Sequence, residues 1–300
     1  MILASLPPVL LFILSLSGFL TGESLKCSYN KRFASSSARS SLYTAIVSAA
    51  AAIVSLILCG FRFAFSPYSV LLGLLFGIAV MGNIVASSLA IRVGPWSYTS
   101  VMVSLGIFIP SFSGALFFDE KLTWLDFVGL GFMIVCFICS VKKDKNEKKS
   151  NFKWLILSII AMLSISAIGL MQKSHQTSIH KNEIAVFLSV AFLTSAVLSA
   201  VLFLIFRKVS AKESEGTPPK RKWTSALPIM IGAGVATAFN HTINLYLSGA
   251  LESVVFFPVM CGGELIGITL ISVFLFKEKL SVLQWIGLAS GALASLLLCI

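Results

Sequence analysis

The chain alternates long apolar stretches with short polar gaps, and the length of the stretches is its first informative property. A helix rises about 1.5 Å per residue, so about 20 apolar residues cover the roughly 30 Å hydrocarbon layer of a bilayer. Ten stretches reach that length: 2–22, 42–61, 68–91, 94–118, 123–141, 154–172, 184–206, 224–249, 253–276 and 281–300. Backbone N–H and C=O groups cannot stay unpaired in lipid, so such runs are helices or barrel strands. Strands would alternate with a period of two, which these runs do not. The pattern therefore predicts an all-α integral membrane protein with ten transmembrane helices. Ser15, Ser17 and Gly18 after the first apolar segment are what a cleaved signal peptide would show. That run has no basic n-region, however, and it carries Pro7-Pro8 near its start, so it is read as a span.

Composition agrees with this reading and narrows it. Of the 300 residues 57% are hydrophobic and 12% charged, against roughly a quarter charged in a soluble domain. A formal charge of +11 would point to nucleic acid only if the basic residues formed a stripe on a folded surface. Here they occupy gaps between apolar runs, so no nucleic-acid partner is expected. All but Arg62, Lys121, Lys173 and Lys181 of the 23 basic residues fall in the gaps after the odd-numbered spans. Cytoplasmic loops retain such an excess, which places those gaps in the cytoplasm, both termini outside, and the protein in the plasma (inner) membrane. The two longest basic gaps, 142–153 and 207–223 with Pro218-Pro219, read as solvated connectors that can also meet anionic lipid. The six cysteines lie mostly inside apolar runs, where a thiol behaves as a small hydrophobe. Cys136 and Cys139 form a C-x-x-C without a second pair or nearby histidines, so neither a metal nor a disulfide framework is expected.

The chain also repeats itself. Phe118 to Leu130 reappears as Phe276 to Leu288, identical at the Phe, Glu, Lys, both leucines and the closing Gly-Leu. Upstream, Gly77, Ala79 and Asn83 match Gly234, Ala236 and Asn240, and Gly22 and Lys26 match Gly169 and Lys173, all in the same order. This predicts two five-helix repeats, 1–141 and 154–300, joined by a basic cytoplasmic linker, 142–153. An odd helix count makes the second copy enter the membrane inverted. Inverted repeats are a design of secondary transporters, where exchanging the conformations of the halves gives alternating access to a central site.

The D-E-K-L ending before the fifth span (Asp119 to Leu122, closing at Gly129-Leu130), its partner Lys277 to Leu280, and the five-plus-five plan resemble the drug/metabolite transporter superfamily, EamA type. The stretch Phe256 to Gly263 is similar to the ninth helix of such permeases. The resemblance implies a metabolite permease, often an exporter of amino acids or related compounds, with a cavity lined by helices 1, 3, 4, 6, 8 and 9. It names no substrate.

Several residues could carry the chemistry. Glu264 sits in the ninth span with apolar or small neighbours, where an ionisable group costs about 2.5 to 3.5 kcal/mol on insertion scales and therefore needs a reason. It can couple transport to protons or bind a substrate amine; the bland alternative is a protonated carboxyl bonded to a neighbouring helix. Asn83 and Asn240 occupy repeat-equivalent positions and can serve a polar solute or bind helix to helix. Asn244 lies one turn beyond Asn240 on the same face, while His241 points about 100° away, either as a proton relay or as a helix-to-helix hydrogen bond. Lys26 and Lys173 lie near helix ends, where lysines usually snorkel to headgroups. Lys173, preceded by Gln172, would be interior if its helix continued to about His180. Pro110 and Pro258 should kink their helices, and the freed carbonyls could serve gating or binding. Gly73-x-x-x-Gly77 and Gly287-x-x-x-Gly291 permit close helix approach.

The resulting expectation is a permease for a small solute, not an enzyme, without a cofactor, surrounded by lipid and present as a monomer or homodimer. Two alternatives are a flippase for lipid or lipid-linked sugar and an intramembrane enzyme. For the enzyme, Glu264 with His241 is the one conceivable dyad.

Overall fold

The computed structural model describes residues 6–33, 37–58, 66–94, 96–140, 151–213, 226–276 and 281–298. Among them eleven α-helices follow in order: α1 (Pro8–Arg32), α2 (Ser37–Leu58), α3 (Pro67–Val93), α4 (Trp96–Leu105), α5 (Phe108–Phe117), α6 (Trp124–Ser140), α7 (Phe152–Thr177), α8 (Ile184–Glu213), α9 (Leu227–Ala250), α10 (Ser253–Phe276) and α11 (Val282–Leu298). Six of these contain stretches long and apolar enough to cross a membrane: Pro8–Tyr29, Ala38–Leu58, Pro67–Ile91, Phe152–Thr177, Ile184–Lys208 and Ser253–Ile271. The basic segments 142–150 and 214–225, with Pro218-Pro219, and the second motif at Lys277 to Leu280 lie outside the described residues.

Local chemistry sets the helix ends. Pro8 stands in the first turn of α1, where its missing N–H costs nothing. Asn151 caps α7 by accepting the Trp154 N–H at 2.8 Å. Ahead of α6, the Asp126 carboxylate accepts the Thr123 N–H at 2.6 Å. Ahead of α11, Gln284 accepts the Ser281 N–H at 2.9 Å while its own N–H donates to the Ser281 hydroxyl at 3.3 Å. Both are capping arrangements, and they stand at matching places in the repeated motif.

The distribution of side chains inverts that of a soluble protein. Ser15, Ser69, Ser158, Ser199 and Ser248 are fully buried, whereas Leu71, Ile78, Leu163, Leu193 and Leu204 are exposed. Water would penalise that arrangement and lipid favours it. The chain is a multi-pass α-helical membrane protein.

The expected spans differ in their bounds, and one is divided. The run 94–118 forms two helices, with the break at Gly106-Ile107. Pro110 has no N–H to give the carbonyl four residues back and its ring would collide with it, so the helix stops there rather than kinking at the proline. That carbonyl, of Gly106, accepts the Ser166 hydroxyl of α7 at 2.8 Å. The first helix runs on to Arg32, beyond the end of its apolar run, and α10 passes Pro258 without interruption.

The helices form two compact units, residues 1–81 with 180–246 and residues 82–179 with 247–300. In the first, α2 packs along α8, and the hydroxyls of Ser48 and Ser195, 147 positions apart, meet at 3.2 Å. Gly73 and Gly77 of α3 seat against the carbonyls of Phe187 and Ala191 on α8, so closely that an added Cβ would lie 2.7 and 2.5 Å from those oxygens. Tyr29, Phe33, Tyr43 and Met230 form an apolar cluster where α1, α2 and α9 meet. In the second unit, α6 packs along α11 around Met133, Cys136 and Ala294, with Gly291 against the Cys136 thiol. There α7 lies beside α4 and α5, and the Pro110 ring fills the space left by Gly169.

Candidate functional site

The polar residues of the first unit gather where α1 meets α9. The Asn240 side-chain amide, 4% exposed, donates to the Ser15 carbonyl at 2.9 Å and reaches the Ser15 hydroxyl at 3.0 Å. That hydroxyl in turn donates to Asn244 Oδ1 at 2.6 Å, and Asn244 Nδ2 donates to Asn240 Oδ1 at 3.4 Å. Asn240 and Asn244 share a face because they are one helical turn apart. His241, rotated away from them, stands edge-on to Phe76 of α3 and Phe192 of α8, with ring centroids 6.2 and 5.4 Å away. Its Nδ1 is buried with no hydrogen-bond partner among the described residues.

The second unit holds the other candidates, at different depths. Asn83 is half-buried and its Nδ2 donates to the Ala161 carbonyl of α7 at 3.0 Å. On α10, Gly262 rests against Met133 of α6, while Phe257 reaches Gly169 of α7. Glu264 is two residues from Gly262 and two turns beyond Phe257, which puts it on the face of α10 that carries Phe257. It is half-buried there.

Lys173 does not snorkel. Helix α7 continues to Thr177, which keeps Lys173 inside the protein at 3% exposed, next to buried Gln172 and with buried His175 and Gln176 following. The Lys173 ammonium lies 2.5 Å from Glu120 Oε1 and donates to the Leu251 carbonyl at 2.8 Å. Glu120 does a second task at the start of α10, where its Oε2 accepts the Ser253 N–H at 2.7 Å and its Oε1 the Ser253 hydroxyl at 3.2 Å. A carboxylate at a helix N-terminus satisfies an orphan amide and favourably meets the helix dipole.

The position of Glu120 follows from how α5 ends. Asp119 adopts a left-handed conformation, φ 54°, which Asp tolerates better than most residues. The chain reverses there, and the Gly114 carbonyl accepts both the Phe118 N–H at 3.0 Å and the Glu120 N–H at 3.1 Å, which satisfies a carbonyl of the last turn. Glu120 is thereby folded over Gly114, where no side chain larger than hydrogen fits beneath its carboxylate. The repeat-equivalent lysine behaves differently: Lys26 is half-exposed and pairs at 2.8 Å with Glu23 of its own helix.

Glu264 is eleven residues past Ser253, roughly 16 Å along α10 at 1.5 Å per residue, so Glu264 and Lys173 belong to separate sites. Glu120, Ser253 and Ser15 were not singled out from the sequence as site residues. Glu120 was visible only as part of the repeated motif, and Ser15 only as a small residue after an apolar run.

No family model and no curated protein matches the chain. Among solved structures, one crystal structure of a protein matches over 97% of this chain and 95% of its own, with TM-score 0.73 and 14% identity. At that identity the likeness is one of fold: nearly all of the chain shares its helical architecture with a protein of known structure.

Proposed function

We propose that the chain is a secondary transporter that moves a small polar metabolite, such as an amino acid or a related compound, across the plasma membrane by alternating access. The observation that carries this reading is internal duplication expressed in packing. Ser48 and Ser195 meet at 3.2 Å with the same spacing of 147 that separates Lys26 from Lys173. Cys136 and Ala294, separated by the same 158 positions as Phe118 and Phe276, are both fully buried in one cluster of the second unit. Helices that meet their own repeat-mates at equivalent residues are what a pseudo-two-fold axis between inverted copies produces, and such copies support alternating access. The repeated motif resembles that of EamA-type permeases of the drug/metabolite transporter superfamily, which supports the same reading.

In this reading ten spans form two inverted repeats with the basic loops in the cytoplasm, and Glu264 is the coupling or amine-binding carboxylate. The test is counterflow in proteoliposomes with a panel of amino acids, nucleobases, sugars and cationic drugs. At least one solute should exchange, and Glu264→Gln should insert normally yet exchange it at least tenfold more slowly, as expected when a buried charge contributes about 1.4 kcal/mol or more. Unchanged exchange in that variant would remove Glu264 from the mechanism; no exchange of any solute would count against the transport reading.

A further inference from the structure

Holding helices together does not require charge. Taking an ammonium and a carboxylate out of water is costly, and an apolar pair of similar volume fastens a core as well or better. An ion pair differs in having a second favourable condition, separated and hydrated, once the surrounding end of the bundle admits water. The groups around Lys173 sit where such opening is mechanically easiest. Lys173 is about one turn from the end of α7 at Thr177, Glu120 lies in the non-helical connection after α5, and Leu251 and Ser253 belong to the turn between α9 and α10. Three connections of the second unit therefore converge on one carboxylate and one ammonium. Lys26, aligned with Lys173 in the repeat, is half-exposed and pairs within α1 with Glu23, so it ties no two elements together; the residue aligned with Glu120, Glu278, lies outside the described residues.

We propose that the Lys173–Glu120 pair is an ionic latch that keeps this end of the second unit closed and separates when the end opens. The inference rests on the transport reading for its purpose, but its test does not use a solute. The full chain carrying Gln176→Cys is placed in lipid nanodiscs, where both faces meet the reagent, and its reaction with a membrane-impermeant maleimide is followed. Gln176 lies one turn beyond Lys173, buried against Gly249. The chain with Gln176 retained gives the background from the native cysteines. Labelling should be slow with the pair intact and with Lys173→Arg, and roughly tenfold or more faster with Lys173→Met, as when about 1.4 kcal/mol of closure is lost. Glu120→Gln should behave likewise, but it also loses the ionised cap on α10, so Lys173→Met, which leaves Glu120 on Ser253, decides the matter. Equal labelling rates for folded Lys173→Met and the parent would overturn the latch. Faster labelling in a protein that exchanges no solute would leave the latch standing and the transport reading without support.

Discussion

Glu120 can be buried because the groups that need a carboxylate already surround the place it occupies: the Lys173 ammonium, the Ser253 amide and the Ser253 hydroxyl. The one obstacle is space, and Gly114 removes it. A Cβ on residue 114 would overlap the Glu120 carboxylate, so Gly114→Ala must displace the ion pair or the end of α5. Thermal unfolding in detergent should show a loss of about 1 to 3 kcal/mol, the usual cost of overpacking. Gly131→Ala is the control: it lies in α6 with nothing within 4 Å of an added methyl, and it should be neutral or slightly stabilising. Equal melting of the two variants would refute the close contact. Sequence alone marks Lys173 as a cation on the side poor in them, and as interior only on the condition that its helix runs on past the apolar stretch. The polar run Lys173 to Thr177 lowers local hydropathy and hides the last turn of α7, and the partners that make burial tolerable come from connections remote in sequence.

Helix ends carry a second device of the same kind, between the starts of α3 and α8. Ser66 precedes α3 and its hydroxyl donates to Glu183 Oε2 at 2.5 Å, while Glu183 precedes α8 and accepts the Phe187 N–H on its carbonyl. His180, stacked on Tyr68, donates from Nδ1 to Glu183 Oε1 at 2.9 Å. Burial would raise the Glu183 carboxyl, but hydrogen bonds from Ser66, Ser69 and His180 outweigh it and hold the group at about 2 instead of 4.5. A depressed carboxylate stabilises above its unfolded value and loses that contribution as pH falls through its folded one. Glu183→Gln should therefore lower the melting temperature at pH 7 and make little difference near pH 2, where the native carboxyl is itself becoming protonated. An equal deficit at both would show that the carboxylate's charge is not what ties α3 to α8. Proline chemistry is also expressed at element scale. Pro110 announces an interruption in the sequence, yet the break falls four residues earlier, at Gly106, because the i−4 carbonyl is the group the proline cannot serve. Pro258 announces the same and α10 runs on. Where the freed carbonyl finds Ser166, the helix can end. That partner lies on another helix, beyond the reach of a local reading.

For the whole molecule, hydropathy made the long apolar helices legible, since lipid asks for about 20 apolar residues in each span, but not their bounds: α1 runs on to Arg32, α7 to Thr177, and 94–118 is divided between α4 and α5. Matching residues recur in order along the sequence, and spacing alone shows no more of a repeat than that. What could not be read is that each compact unit draws helices from both halves of the chain, 1–81 with 180–246 and 82–179 with 247–300. Contacts between helices far apart in the chain, such as α2 with α8, are long-range, and hydropathy carries no information about which apolar face meets which. Their pairing can be tested directly. With Ser48 and Ser195 hydroxyls 3.2 Å apart, the Ser48→Cys/Ser195→Cys chain should form a disulfide under mild oxidation, whereas Ser48→Cys with Leu204→Cys, exposed two turns further along α8, should not. Failure of the first pair to cross-link would separate α2 from α8.

The seam between α3 and α8 bears on how such a unit can move. At Gly73 and Gly77 the α3 backbone rests on carbonyls of α8, with only the short β-branched side chains of Val190 and Thr194 beside it. Long packed side chains can hop between rotamers and take up a small shift, but β-branched ones in a helix are stiff, so this seam has little to adjust. A push on α8 is handed on to this part of α3 with little loss, so the pair works as a lever and not as a cushion.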